Sequence, residues 1–262
     1  MGTSKIGEIE WKMRRELAAA CRLFAHRKWV QDIFGHLSFR DPGNPSAYVV
    51  TPFGMHFSEI TPSSLVKVDL DGNVLDQGST RYGISDDSYV IHAPIYKDRH
   101  DVGSIMHCHD PVVIAISSTK EGLLPVNQSS FYAHAASESP TGTIPRLDYE
   151  GRASIKFVDG KRDTSHLVAV ARTAKIVMLN NHGLLTLSPT IYESYGLFYY
   201  VDEACRMQQL IPPGRQLIFP DEEVIVDIKR DYSRKDMVQE VYRLLFDADV
   251  RMVRRISPDF ET

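Results

Sequence analysis

Short apolar runs of strand character alternate with stretches of helical period along this chain of 262 residues, and no linker or low-complexity tract interrupts them. That alternation, with hairpin signals between several runs, implies one α/β domain over residues 1–262 with a mixed or mainly antiparallel sheet. Residues 5 to 28 set Ile9, Met13, Leu17, Ala20, Cys21 and Phe24 on one helical face. Strands are expected at Gly35-His-Leu-Ser-Phe39 and Ala47-Tyr-Val-Val50, joined by the turn-rich Asp41–Ser46. Asp71-Gly72 is a two-residue hairpin signal between Leu65–Leu70 and Asn73–Leu75. A helix from Ser88 to about Arg99 follows, with Asp86 and Asp87 where the macrodipole favours carboxylates. Pro111 opens a short helix, and Leu123–Val126 and Ile155–Val158 read as strands in a loop-rich middle. Ser165–Thr173 reads as helix, Ile176–Leu179 and Leu184–Leu187 as strands, and Thr190–Leu210 as a long helix. A Pro-Pro-Gly break at 212–214 leads into a helical tail, about residues 215 to 262, whose last element runs from about Ser233 to Arg255.

The run Val102–Met106 ends in His107-Cys108-His109. Side chains two apart on a strand project to the same face, so both imidazoles point one way and Cys108 points the other. Two neutral imidazoles supply half of a tetrahedral metal shell. His182 also ends an apolar run, Ile176-Val-Met-Leu179, just before Gly183, and offers a third ligand.

Composition narrows the rest. A net charge of −4 and a sequence pI of about 6.2 give no footprint for a nucleic acid or a membrane surface. Ile6, Ile9, Met13 and Leu17 sit at helical spacing among charges, which is not the pattern of a signal peptide. No apolar run reaches the roughly 18 to 20 residues that span a bilayer. Three cysteines without a CxxC suit a reducing compartment, so the expected location is cytoplasmic. Asn127-Gln-Ser129 matches a glycosylation sequon that this location leaves unused.

Several stretches together resemble the class II aldolase/adducin family, which includes fuculose-phosphate aldolase and ribulose-phosphate epimerase. They are Gly35-His-Leu-Ser-Phe-Arg40, Thr51-Pro-Phe-Gly54, His92, Val102–His109 and Asn181-His-Gly-Leu-Leu185, in family order over about residues 8 to 210. The resemblance implies a three-layer α/β/α domain with a central, mostly antiparallel sheet. It also implies a homo-oligomer, commonly a tetramer, with the active site near a subunit boundary. His107, His109 and His182 become the ligands of a divalent metal ion, zinc first, with manganese, iron, cobalt and nickel also compatible with imidazole.

The chain departs from the sugar-phosphate aldolases at two places. Their Ser-Ser-Glu run, which holds phosphate and moves the aldol proton, is Asp86, Asp87 and Ser88 here. Two carboxylates repel a phosphate dianion. The phosphate-pocket asparagine is replaced by His36; Thr51 and Gly54 remain, and Phe53 adds bulk. The substrate expected is therefore a small non-phosphorylated organic acid, with Thr51, Gly54, Phe53 and Arg40 as binding residues and Arg81 as a second possible carboxylate partner. Phe53, His56, Phe57, Phe131, Tyr132 and His134 could give the pocket aromatic character. Asp87, His36 and Tyr132 are the candidates for proton transfer. The leading expectation is a metal-dependent carbon–carbon lyase, a decarboxylase or a retro-aldol enzyme. The alternatives are an iron-dependent oxygenase on the same three histidines, or a non-catalytic adducin-like assembly module.

Overall fold

A computed structural model describes residues 7–139 and 142–261. Residues 5 and 6 of the first expected helix, Ile6 included, lie outside the described residues. The chain opens with α1 (Glu8–Arg27), then β1 (His36–Arg40), β2 (Ala47–Val50), β3 (Val66–Asp69) and β4 (Val74–Asp76). Next come α2 (Asp86–Asp98), β5 (Ser104–Cys108), α3 (Pro111–Ser117) and α4 (Gln128–Ala136). The middle holds β6 (Arg146–Leu147), β7 (Lys156–Val158), β8 (Lys161–Asp163) and α5 (Ser165–Ala171). The last part is β9 (Ile176–Leu179), β10 (Gly183–Ser188), α6 (Ile191–Gln209), α7 (Glu222–Tyr232) and α8 (Lys235–Ile256).

Eight strands form one sheet in the order β4-β3-β2-β1-β5-β10-β9-β6, antiparallel at every junction except β6 with β9. Side-chain alternation divides the core into two layers. Leu37, Phe39, Met106, Cys108 and Leu184 pack with α1, α6 and α8, whereas Ile105, Leu185 and Leu187 pack with α2 and α5. The architecture is the expected α/β/α sandwich. Tyr242, Phe246, Val250 and Val253 of α8 join the same core as α1 and α6, so the final helix is packed rather than appended.

The middle of the chain differs from expectation. Leu123–Val126 is irregular: Pro125 lacks an N–H, and the Leu124 N–H donates to the Gln208 side-chain oxygen instead of a neighbouring strand. Residues 128–136 form α4, where no helix was expected, because Asn127 caps it by accepting from the Ser130 N–H at 2.9 Å. The sequon asparagine is thus a helix cap. Ile155–Val158 does contain a strand, β7, but it pairs only with β8 in a separate exposed hairpin. Helix α7 falls within the expected helical tail; it is amphipathic and buries none of its residues.

Candidate metal centre

The centre of the sheet builds the site. In the antiparallel register His36 of β1 faces His107 of β5, and Leu185 of β10 flanks His107 on the other side. His107 and Cys108 take opposite faces, as strand alternation requires: Cys108 enters the layer of α1 and α6. His109 follows the end of β5, and His182 lies in the tight turn between β9 and β10, where Asn181 has a φ of 58°. Gly183 is required next to it, since a Cβ there would lie 2.3 Å from the Cys108 carbonyl oxygen.

Three imidazoles converge. His107 Nε2 is 3.1 Å from His109 Nε2, which is 3.0 Å from His182 Nε2. The far nitrogens are tied back into the protein. His107 Nδ1 donates to the Leu184 carbonyl at 3.0 Å, so in the neutral ring Nε2 carries the lone pair. His182 Nδ1 meets Ser154 Oγ at 2.8 Å. Burial holds the His182 pKa down to about 4, with the neighbouring His109 lowering it further and Asp87 opposing. Burial likewise pushes His107 and His109 below the ordinary histidine range. Three neutral nitrogens aimed at one point repel one another unless a cation lies between them. A tetrahedral ion bound at about 2.0–2.1 Å separates its ligand atoms by about 3.3 Å, near the spacing found. The donor set fits a divalent metal, and the bonds to Leu184 and Ser154 are the outer contacts that orient metal-binding histidines.

The cleft over these nitrogens is lined by Phe34, His36, Phe53, Ser85, Asp87 and Ala153 together with the three histidines. Behind it runs a buried polar chain: His36 Nδ1 to His92 Nε2 at 2.6 Å, His92 Nδ1 to Ser38 Oγ at 2.6 Å, and Ser38 Oγ to the Tyr96 hydroxyl at 2.8 Å. Burial depresses His36 well below the usual range, helped by His92, and lowers His92 to about 3. Both rings are neutral at pH 7.

The expected residues divide into two groups. His36, Asp87 and Phe53 share the cleft with the three histidines. Asp87 is not free, because its two oxygens pair with Arg162 Nη1 at 3.0 Å and Arg152 Nε at 3.2 Å. Tyr132 does not reach the cleft of its own chain: it sits on α4, its ring packed between Tyr200 and Tyr232. Phe131 and His134 share that helix, Phe57 is in the core and His56 caps a turn, so the cleft is less aromatic than expected. Arg40 is a structural residue that donates to the carbonyls of Val102, Tyr96 and Arg99 and stacks on Tyr96. Arg81 stacks on Tyr82. Thr51 Oγ1 accepts from the Leu37 N–H, and Gly54, at a φ of 113°, makes room for the Tyr82 ring. Sequence reading missed Ser154, Arg152 and Arg162. Arg152 and Ser154 reach the site through the loop after β6 and Arg162 from β8 of the exposed hairpin, and no local pattern marks either segment.

A mostly antiparallel sheet flanked by helices, with a histidine cluster at the ends of the two central strands, defines a class II aldolase-like protein. The chain belongs to the class II aldolase/adducin family: the model of the "Class II Aldolase and Adducin N-terminal domain" matches residues 15–209. An aldolase class 2 homologue of Caulobacter vibrioides is 38% identical over 78% of this chain and 74% of its own length. Rat alpha-adducin is 32% identical over 75% of this chain, which spans 25% of that protein. An aldolase II superfamily protein from Pseudomonas syringae superposes with a TM-score of 0.84 at 32% identity, covering 98% of this chain and 97% of the other. An L-fuculose 1-phosphate aldolase from Glaciozyma antarctica shares the fold, with a TM-score of 0.80 at 24% identity over 100% and 97% of the two chains. Among the described residues no helix is long and apolar enough to cross a membrane.

Proposed function

We propose that this protein is a metal-dependent carbon–carbon lyase acting on a non-phosphorylated hydroxy or oxo acid, by decarboxylation or retro-aldol cleavage. One observation carries the reading: three histidines whose ligand nitrogens lie within 4.8 Å of one another, in a cleft where Asp87 stands in place of a serine of the phosphate-holding run of the sugar-phosphate aldolases. A divalent cation held by His107, His109 and His182, zinc first, would supply Lewis-acid charge to the electron pair left by bond cleavage.

The chain's own residues handle the proton and the orientation. His36 is neutral and lines the cleft, and its contact with His92 links it to Ser38 and Tyr96. If Nδ1 of His36 donates to His92, then His92 donates to Ser38, and the His36 Nε2 lone pair is free to accept a proton. Asp87, held by two arginines, serves as a fixed charge. Phe34 and Phe53, 6.2 Å apart, form an apolar wall that limits water. A homo-oligomer, a tetramer in the family manner, is part of the same proposal. The apolar residues Val226, Val241 and Leu244, exposed on α7 and α8, support it.

Metal-loaded protein incubated with a panel of hydroxy and oxo acids should release CO2 or an aldehyde. Silence across the panel rejects the lyase. Similarity to adducins favours a second reading, a non-catalytic assembly module, which predicts that the protein binds no metal. Oxygen consumption with iron, absent with zinc, would instead show an oxygenase.

A further inference from the structure

We propose that the Arg152–Asp87–Arg162 bridge at the rim of the cleft is the anion seat of this site, and that Arg152 takes the carboxylate of the incoming acid. The inference rests on the reading of the site as one for an organic acid and deepens it. Asp87 lines the cleft with the three histidines and acts electrostatically on both His109 and His182. Each of its oxygens holds one guanidinium, Arg162 on Oδ1 and Arg152 on Oδ2.

The two arginines are held differently. Arg162 has a side chain 16% exposed, with its guanidinium 5.7 Å from the centre of the Phe157 ring. It fixes Asp87. Arg152 has a side chain 66% exposed and uses only Nε, so among the described residues its two terminal nitrogens have no bond. A guanidinium presents donors as a planar fork that matches a carboxylate. Arg152 therefore has the free half of its fork available to a ligand while Asp87 holds the other half in place.

The backbone carries this residue next to the histidine cluster. Arg152 is followed by Ala153, which lines the cleft, and Ser154, which bonds His182. Ala153 and Ser154 both adopt left-handed backbone, with φ of 58° and 57°. Two consecutive residues of this kind outside glycine are strained, and strain of that kind persists where the surroundings fix it. Here it folds the chain so that neighbouring residues serve the anion seat and a metal-binding histidine.

Charge selects the ligand. Two arginines against one aspartate leave a single net positive charge at the rim, before any metal is counted. That favours an anion over its neutral analogue. The class of ligand is an acid with a hydroxyl or carbonyl oxygen next to the carboxylate, so that one end meets Arg152 and the other faces the histidines.

The test uses zinc-loaded protein and isothermal titration with glycolate and its neutral analogue glycolamide. Wild type should bind glycolate at least tenfold more tightly than glycolamide. Arg152→Gln should lose that preference with its zinc content unchanged, and Arg152→Lys should keep part of it. Glycolate binding unaltered in Arg152→Gln, equal binding of glycolamide, or no glycolate saturation by 100 mM overturns the proposal. Because binding is read without turnover, a failed lyase assay leaves this result standing on its own.

Discussion

Lowering the pH should destabilise this fold through His92, by an amount the structure sets. The ring is fully buried and its pKa falls from the ordinary 6.5 to about 3, while the unfolded chain keeps the ordinary value. A group depressed by folding contributes stability that is intact above its unfolded pKa and is lost as pH falls toward its folded value. The window therefore runs from about pH 6.5 down to about pH 3. At about 1.4 kcal/mol per pH unit, the loss between pH 7 and pH 5 comes to about 2 kcal/mol from this residue alone. His92→Gln removes the titration and retains an amide that can meet His36. Urea unfolding of both proteins should show the variant less stable at pH 7, with the gap closing by about 2 kcal/mol at pH 5. A gap that stays constant over that range refutes a neutral, buried His92.

Metal binding to the folded state alone should stabilise it by about 4 kcal/mol at a thousandfold excess over the dissociation constant. Thermal unfolding with and without zinc reads this, and His182→Ala should abolish the rise. Ser154→Ala removes the contact that orients His182 and should weaken metal affinity about 10- to 100-fold, measured by chelator competition. Gly196→Ala places a Cβ 2.0 Å from the Tyr242 ring, where α6 meets α8. It should cost more than about 2 kcal/mol in chemical unfolding, whereas a neutral outcome would show that α8 is loosely docked.

Period and alternation carried the sheet because its central strands are short, apolar and buried on both faces. His107 and Cys108 parted to opposite faces for that reason alone. The Asp71-Gly72 turn likewise announced the β3–β4 hairpin. Helix α4 stayed hidden because its cap, Asn127, also fitted an unrelated motif and its residues show little amphipathic pattern. At the site, the three histidines were legible because each ends an apolar run. Arg40 was misjudged since a lone arginine carries no sign of whether its partners are carbonyls or ligands; here they are carbonyls at the end of α2 and in the segment before β5. Arg152 and Ser154 were illegible because tertiary folding of an irregular loop brings them to Asp87 and His182.

The metal content of the purified protein tests the account most directly. Wild type dialysed against trace zinc should retain about one equivalent per chain by elemental analysis, and His109→Ala, with its fold verified by circular dichroism, should retain almost none. Equal metal in the two proteins, or none in wild type, would contradict a catalytic centre built on His107, His109 and His182.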